Sequence, residues 1–164
     1  LKKVRSNIVE ACSTIPSNCK GVYSLILGVE SDEGLKIGSL GSQWVEKGYY
    51  VYIGSAKGPG GVRARLCRHI HGCGSKHWHI DYLRDIAKPI AFTYCCREKV
   101  SESWLYEIFA VRLQPYIKGF GSSDNPRVYS HLFRCGDSIE ECLGKVEACI
   151  NGIECFNSTI MILL

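Results

Sequence analysis

Tyr49-Tyr50-Val51-Tyr52-Ile53-Gly54-Ser55, together with the earlier Gly21-Val22-Tyr23-Ser24-Leu25-Ile26-Leu27-Gly28, decides how this chain folds. Both runs are rich in Val, Ile, Leu and Tyr and bounded by Gly or Ser, so each reads as a strand. Leu35 to Leu40 reads as a further strand, separated from the first by the turn residues Ser31-Asp32-Glu33-Gly34. The breaker cluster Gly58-Pro59-Gly60-Gly61 then opens a helix to about His71, which carries Arg65-Leu66-Cys67-Arg68-His69.

Outward from this centre, Val4 to Cys12 reads as an amphipathic helix stopped before Pro16. Gly72 to Ser75 ends the arginine helix and His77 to Ile86 forms a short helix. Pro89 to Cys96 is a β-type run, and Ser101 begins a helix to about Leu113. Gly119 to Pro126 is a loop, His131 to Arg134 a short strand, and Asp137 caps a last helix over Ser138 to Ile150. Strands first and helices later give an α+β fold: a small, mainly antiparallel sheet flanked by helices. The 164 residues suit one domain. Residues 1–20 read as an N-terminal helical extension, 21–135 as the central domain, and 136–164 as a C-terminal helix and tail packed on it.

The net charge of +4 is mild, but its distribution is not. From Lys47 to Ile80 there is no Asp or Glu, while Lys47, Lys57, Arg63, Arg65, Arg68 and Lys76 all fall there, with His69, His71, His77 and His79. Such a field suits the phosphate backbone of a nucleic acid, without distinguishing DNA from RNA. Leu1-Lys2-Lys3-Val4-Arg5 lacks a following apolar stretch, and Ile160 to Leu164 is too short to span a bilayer. No membrane association is expected, and an intracellular location is favoured. The ten cysteines then read as small core hydrophobes, with disulfides an alternative in a hyperthermophile. The oligomeric state is not legible.

Phosphodiester hydrolysis needs an activated water, positive charge for the developing oxyanions, and help for the leaving oxygen. Tyr23 and Tyr52 are candidates for the first, although a phenol of pKa ~10 needs perturbation to act as a base. Arg65, Arg68 and His69 stand at i, i+3 and i+4, on one helical face, able to converge on one phosphate. Glu107 is the only acid between Ser103 and Leu113 on an otherwise apolar helix, which makes it the candidate metal ligand. Lys57, Arg68, Lys76, His77, His79 and Ser123 are the candidate substrate-binding residues.

The order of Gly21-Val22-Tyr23, Tyr52-Ile53-Gly54 and Arg65-x-x-Arg68-His69 resembles the GIY-YIG endonuclease superfamily. Lys76-His77-Trp78-His79-Ile80-Asp81-Tyr82-Leu83, Gly119-Phe120-Gly121-Ser122-Ser123-Asp124 and Ser130-His131-Leu132 resemble one archaeal and bacterial branch of it. The resemblance covers about Gly21 to Phe133. It implies a three-stranded sheet core with extra strands added, base or water-positioning roles for the two tyrosines, and a phosphate-binding role for Arg65, with Arg63 the lesser alternative. It also implies a single Mg²⁺ or Mn²⁺ on Glu107, and a late loop residue, Asp124 or Asn125, whose role stays open. The expectation is a metal-dependent DNA endonuclease working in repair or on damaged or branched DNA. The alternatives are a catalytically idle nucleic-acid-binding module of the same fold, or an interaction domain stapled by zinc on Cys67, His69, His71 and Cys73, with His77 and His79 beyond.

Overall fold

The computed structural model describes residues 2–72, 74–156 and 159–163. The chain begins with β1 (Lys2–Ser6) and α1 (Ile8–Ser13), then β2 (Gly21–Val29), β3 (Glu33–Lys36), β4 (Ser42–Val45) and β5 (Gly48–Ala56). There follow α2 (Gly61–His71), α3 (His79–Leu83), β6 (Ala87–Cys95), α4 (Glu102–Ala110) and β7 (Gln114–Pro115). The last elements are β8 (Leu132–Gly136), α5 (Ile139–Ile150) and β9 (Thr159–Leu163).

Seven strands form one sheet in the order β1-β9-β6-β2-β5-β8-β7. All neighbouring pairs are antiparallel except β1 with β9. The expected α+β class holds, but the sheet is larger than a three-stranded core. β2 lies at its centre and is buried at every residue. Helices cover both faces, which is why β2 reads as a continuous apolar run rather than an alternating one. Tyr23, Leu25 and Leu27 face a core shared with Leu66 and Ile70 of α2. Val22 and Ile26 face the opposite core with Leu105 and Phe109 of α4 and Val146 of α5.

Three expectations are corrected. The strand read at Leu35 to Leu40 is not in the main sheet: β3 pairs only with β4 in a separate ribbon, and Gly38–Leu40 is a 3-10 turn. The helix read over Val4 to Cys12 begins as β1, because exposed Lys3 and Arg5 flank partly buried Val4 with the period of a strand. Only after Asn7, whose side chain accepts from the Glu10 N–H at 2.9 Å, does α1 start. Since β1 pairs with β9, the two terminal segments belong to the main sheet. The last helix is capped by Ser138 rather than Asp137, with the Ser138 hydroxyl accepting from the Glu141 N–H at 3.1 Å.

The cysteines also depart from a purely apolar role. Cys12–Cys67 ties α1 to α2, and Cys19–Cys96 ties the approach to β2 to the exit of β6. Cys95–Cys155 and Cys135–Cys142 staple the other face, while Cys149 is free and buried. No helix among the described residues is long and apolar enough to cross a membrane.

Candidate functional site

Tyr23 on β2 and Tyr52 on β5 point to the same face of adjacent strands, their ring centroids 6.4 Å apart. Gly54 makes this possible. It lies opposite Tyr23 in the β2–β5 register, and a Cβ there would come within 2.5 Å of the Tyr23 hydroxyl oxygen and 2.6 Å of Cζ. Tyr23 is fully buried and its hydroxyl has no hydrogen-bond partner among the described residues. Burial pushes its pKa well above the ordinary phenol range, Tyr52 adding to the shift and Arg65 opposing it. Burial raises Tyr52 likewise, with Glu102 adding and Arg65 opposing. Both hydroxyls are therefore protonated at neutral pH.

α2 brings Arg65 and His69 under the tyrosines. The Arg65 guanidinium donates to the Ser55 carbonyl at 2.5 Å, and the His69 ring lies 6.1 Å from Tyr23 and 5.9 Å from Tyr52. His69 is 1% exposed, and burial lowers its pKa to about 4; Asp81 opposes this, and Arg68 and Arg65 reinforce it. It is thus a neutral imidazole at pH 7. Its Nδ1 sits 3.4 Å from Asp81 Oδ1 without completing a hydrogen bond.

Asp81 is the hub of the wall behind. Its carboxylate accepts from the N–H groups of His77 and Trp78 at 2.9 and 3.0 Å and from Arg68 at 3.1 and 3.2 Å. Burial alone would raise its pKa, but these donors hold it below the usual carboxylate value. Arg68 also donates to the Ser75 carbonyl at 2.9 Å and lies 4.5 Å from the centre of the Trp78 ring. Its charge is committed to the scaffold, and it does not line the cavity.

Glu107 is exposed and stands outside the site. The acid of this helix that enters the site is Glu102, the first residue of α4. Ser101 caps that helix by accepting from the Trp104 N–H at 3.1 Å. Glu102 Oε1 accepts from the Ser55 N–H at 2.6 Å, and Oε2 lies 4.0 Å from Nδ1 of buried His131. Glu107, five residues on, is rotated by roughly 140° around the helix. Burial lowers the pKa of His131, with Glu102 and Asp124 pulling the other way.

Tyr23, Tyr52, Arg65, His69 and Glu102 line a cavity of about 480 Å³. Of the residues singled out from sequence, Tyr23, Tyr52, Arg65, His69, His77, His79 and Ser123 meet there, with Asp124 from the late loop. That loop is fastened by the Gly121 N–H donating to His79 Nδ1 at 2.9 Å. Asn125 instead serves the loop's own turn, its side chain accepting from the Arg127 N–H at 3.2 Å. Lys57 lies at a separate depression with Ser17, Asn18 and Lys20. Lys76 pairs with Asp85 over the Tyr82 ring, outside the cavity. Glu102, Trp78, Ser55 and Gly121 are the lining residues that the sequence reading missed.

The zinc constellation does not assemble as read. Cys67 is bonded to Cys12, the His71 ring is tied to the Cys67 carbonyl at 2.8 Å, and Cys73 lies outside the described residues. No group of three or more His, Cys, Asp and Glu among the described residues is arranged to hold a metal.

Residues 22–153 match the family described as Domain of unknown function DUF123, and the chain belongs to that family. This corrects the family expected from the tyrosine and arginine motifs: the matching family is a distinct one, not the GIY-YIG superfamily. No curated protein and no solved structure matches the chain.

Proposed function

We propose that this member of the DUF123 family is an intracellular, metal-dependent endonuclease that hydrolyses DNA phosphodiester bonds, in repair or in processing of damaged or branched DNA. One observation carries the reading. Tyr23, Tyr52, Arg65, His69 and Glu102, from four different elements, converge on one cavity next to the most cationic stretch of the chain. The four disulfides limit an intracellular location to a hyperthermophile source, since an ordinary cytosol would keep them reduced.

In this reading Arg65, held by the Ser55 carbonyl, neutralises the phosphate under attack. Protonated Tyr52 donates to a phosphate oxygen or orients the attacking water, while buried Tyr23 packs behind it, and burial keeps the protons of both hydroxyls in place. Neutral His69, with Nδ1 turned to Asp81, has its other ring nitrogen left to accept the proton of the water. A magnesium-type ion would have Glu102 and Asp124, the two carboxylates lining the cavity, as its protein ligands. A site with so few carboxylates suits Mg²⁺ or Mn²⁺ that keeps most of its waters. Held on Glu102, such an ion would supply Lewis-acid stabilisation of the phosphoryl oxygens.

Incubating the protein with labelled duplex, nicked, flapped and branched DNA in Mg²⁺, Mn²⁺ or EDTA tests the reading. Endonucleolytic products that need the metal support it. Tight binding with no cleavage on any substrate sinks it and leaves a nucleic-acid-binding module.

A further inference from the structure

We propose that the indole of Trp78 is a stacking platform for a nucleobase next to the scissile phosphate, so that the site takes DNA with an unpaired nucleotide at that position. The proposal rests on the phosphodiester-hydrolysing reading above and names its substrate class.

Trp78 is 39% exposed, yet it lines the cavity that holds Tyr23 and Arg65. Its ring is held from several sides. Arg68 and Arg65 lie 4.5 and 5.1 Å from its centre, and His69 meets it edge-on at 5.6 Å. Asp81 accepts from its backbone N–H and from Arg68, so the guanidinium that braces the ring is itself fixed. A large aromatic group, braced and still partly open, loses little entropy when it takes a stacking partner.

The depth of the site points the same way. Tyr52 lines the cavity and is only 6% exposed, so a phosphate has to enter the cavity to meet its hydroxyl. A volume of about 480 Å³ lies in the range of pockets that enclose small ligands. A phosphate of an intact duplex presents only its oxygens and sugar, because the bases are paired and stacked inside. It would leave the Trp78 ring without a partner. An unpaired nucleotide offers the phosphate to Arg65 and its base to the indole, and it avoids most of the unstacking cost that a paired base carries. Every base has a π-face, so the platform discriminates pairing state rather than sequence.

The test uses a duplex bearing a single-stranded flap, with 2-aminopurine placed at successive flap nucleotides, in EDTA so that binding is read without cleavage. Quenching of 2-aminopurine is expected at one position beside the junction. Trp78→Ala should abolish that quenching and weaken flap binding about 5- to 150-fold, the range for one stacked base. Duplex binding should change far less. Trp78→Phe should recover most of the loss and Trp78→Leu should not. Equal losses on flap and duplex, no quenched position, or Leu performing as well as Phe would each overturn the proposal. Quenching with the expected mutant pattern but no cleavage in any metal would reject the nuclease reading and leave the platform standing. Cleavage of paired and unpaired DNA alike, without quenching, would reject the platform and leave the nuclease.

Discussion

Gly54→Ala probes the contact on which the site is built. The new Cβ would lie 2.5 Å from the Tyr23 hydroxyl oxygen and 2.6 Å from Cζ, roughly 1 Å short of van der Waals contact. The Tyr23 ring has no ready retreat: it is fully buried and packed beside Tyr52 and His69. Overpacking of this kind costs about 1–3 kcal/mol. Without a clash, the same substitution in a strand would gain about 0.5–1 kcal/mol, because Gly loses more freedom on folding. The sign is therefore diagnostic. Urea unfolding in non-reducing buffer should show Gly54→Ala destabilised in the parent and neutral or stabilised in a Tyr23→Ala background, with a coupling above about 1 kcal/mol. A displaced Tyr23 should also slow cleavage about 10²-fold. Equal costs of Gly54→Ala in both backgrounds would refute the close approach of Tyr23 to Gly54.

Arg65→Ala should lower the single-turnover cleavage rate roughly 10²–10³-fold with a smaller loss of DNA affinity; an unchanged rate would remove Arg65 from the chemistry. Because the folded pKa of His69 is depressed to about 4, the unfolded state binds more protons between its ordinary value of ~6.5 and that point, so stability should fall as pH drops through this window. The expected loss is of order 3 kcal/mol, and a His69→Gln variant should show a flatter urea midpoint between pH 7 and 4.5. The Cys12–Cys67, Cys19–Cys96 and Cys95–Cys155 bridges close loops of 55, 77 and 60 residues. Chain entropy gives about 4 kcal/mol for each, so reduction should lower the melting temperature steeply. Unchanged melting in reductant would argue that the bridges are absent.

The parts of this account legible in the sequence were those set by local pattern. The apolar runs at Gly21 and Tyr49 became β2 and β5, and the breaker cluster at Gly58 opened α2 where expected. The tyrosine, arginine and histidine positions met because strand and helix periodicities fix which face each side chain takes. The family inferred from those same motifs was nevertheless corrected. Glu102 was missed although a signal was present. Glu102, Leu105 and Phe109 stand at i, i+3 and i+7, on one inward stripe, whereas Glu107 falls off it. Leu35 to Leu40 looked like a sheet strand because its composition does not reveal its partner. β1 and β9 are not legible locally because β1 is an edge strand whose only neighbour, β9, comes from the other end of the chain. The disulfide partners lie 55 to 77 residues apart in three of four cases, beyond any local reading.

The central claim is that a carboxylate at the start of α4, beside Arg65 and the two tyrosines, makes this cavity a metal-dependent nuclease site. Single-turnover cleavage of a labelled flapped DNA in Mg²⁺, comparing the parent with Glu102→Gln and Glu107→Gln, tests it most directly. Glu102→Gln keeps the shape but removes the charge that would hold the ion, so it should abolish cleavage in a folded protein that still binds DNA. Glu107→Gln, on the exposed face of the same helix, should cut at the parental rate. Cleavage undiminished in Glu102→Gln, or lost only in Glu107→Gln, would contradict the account.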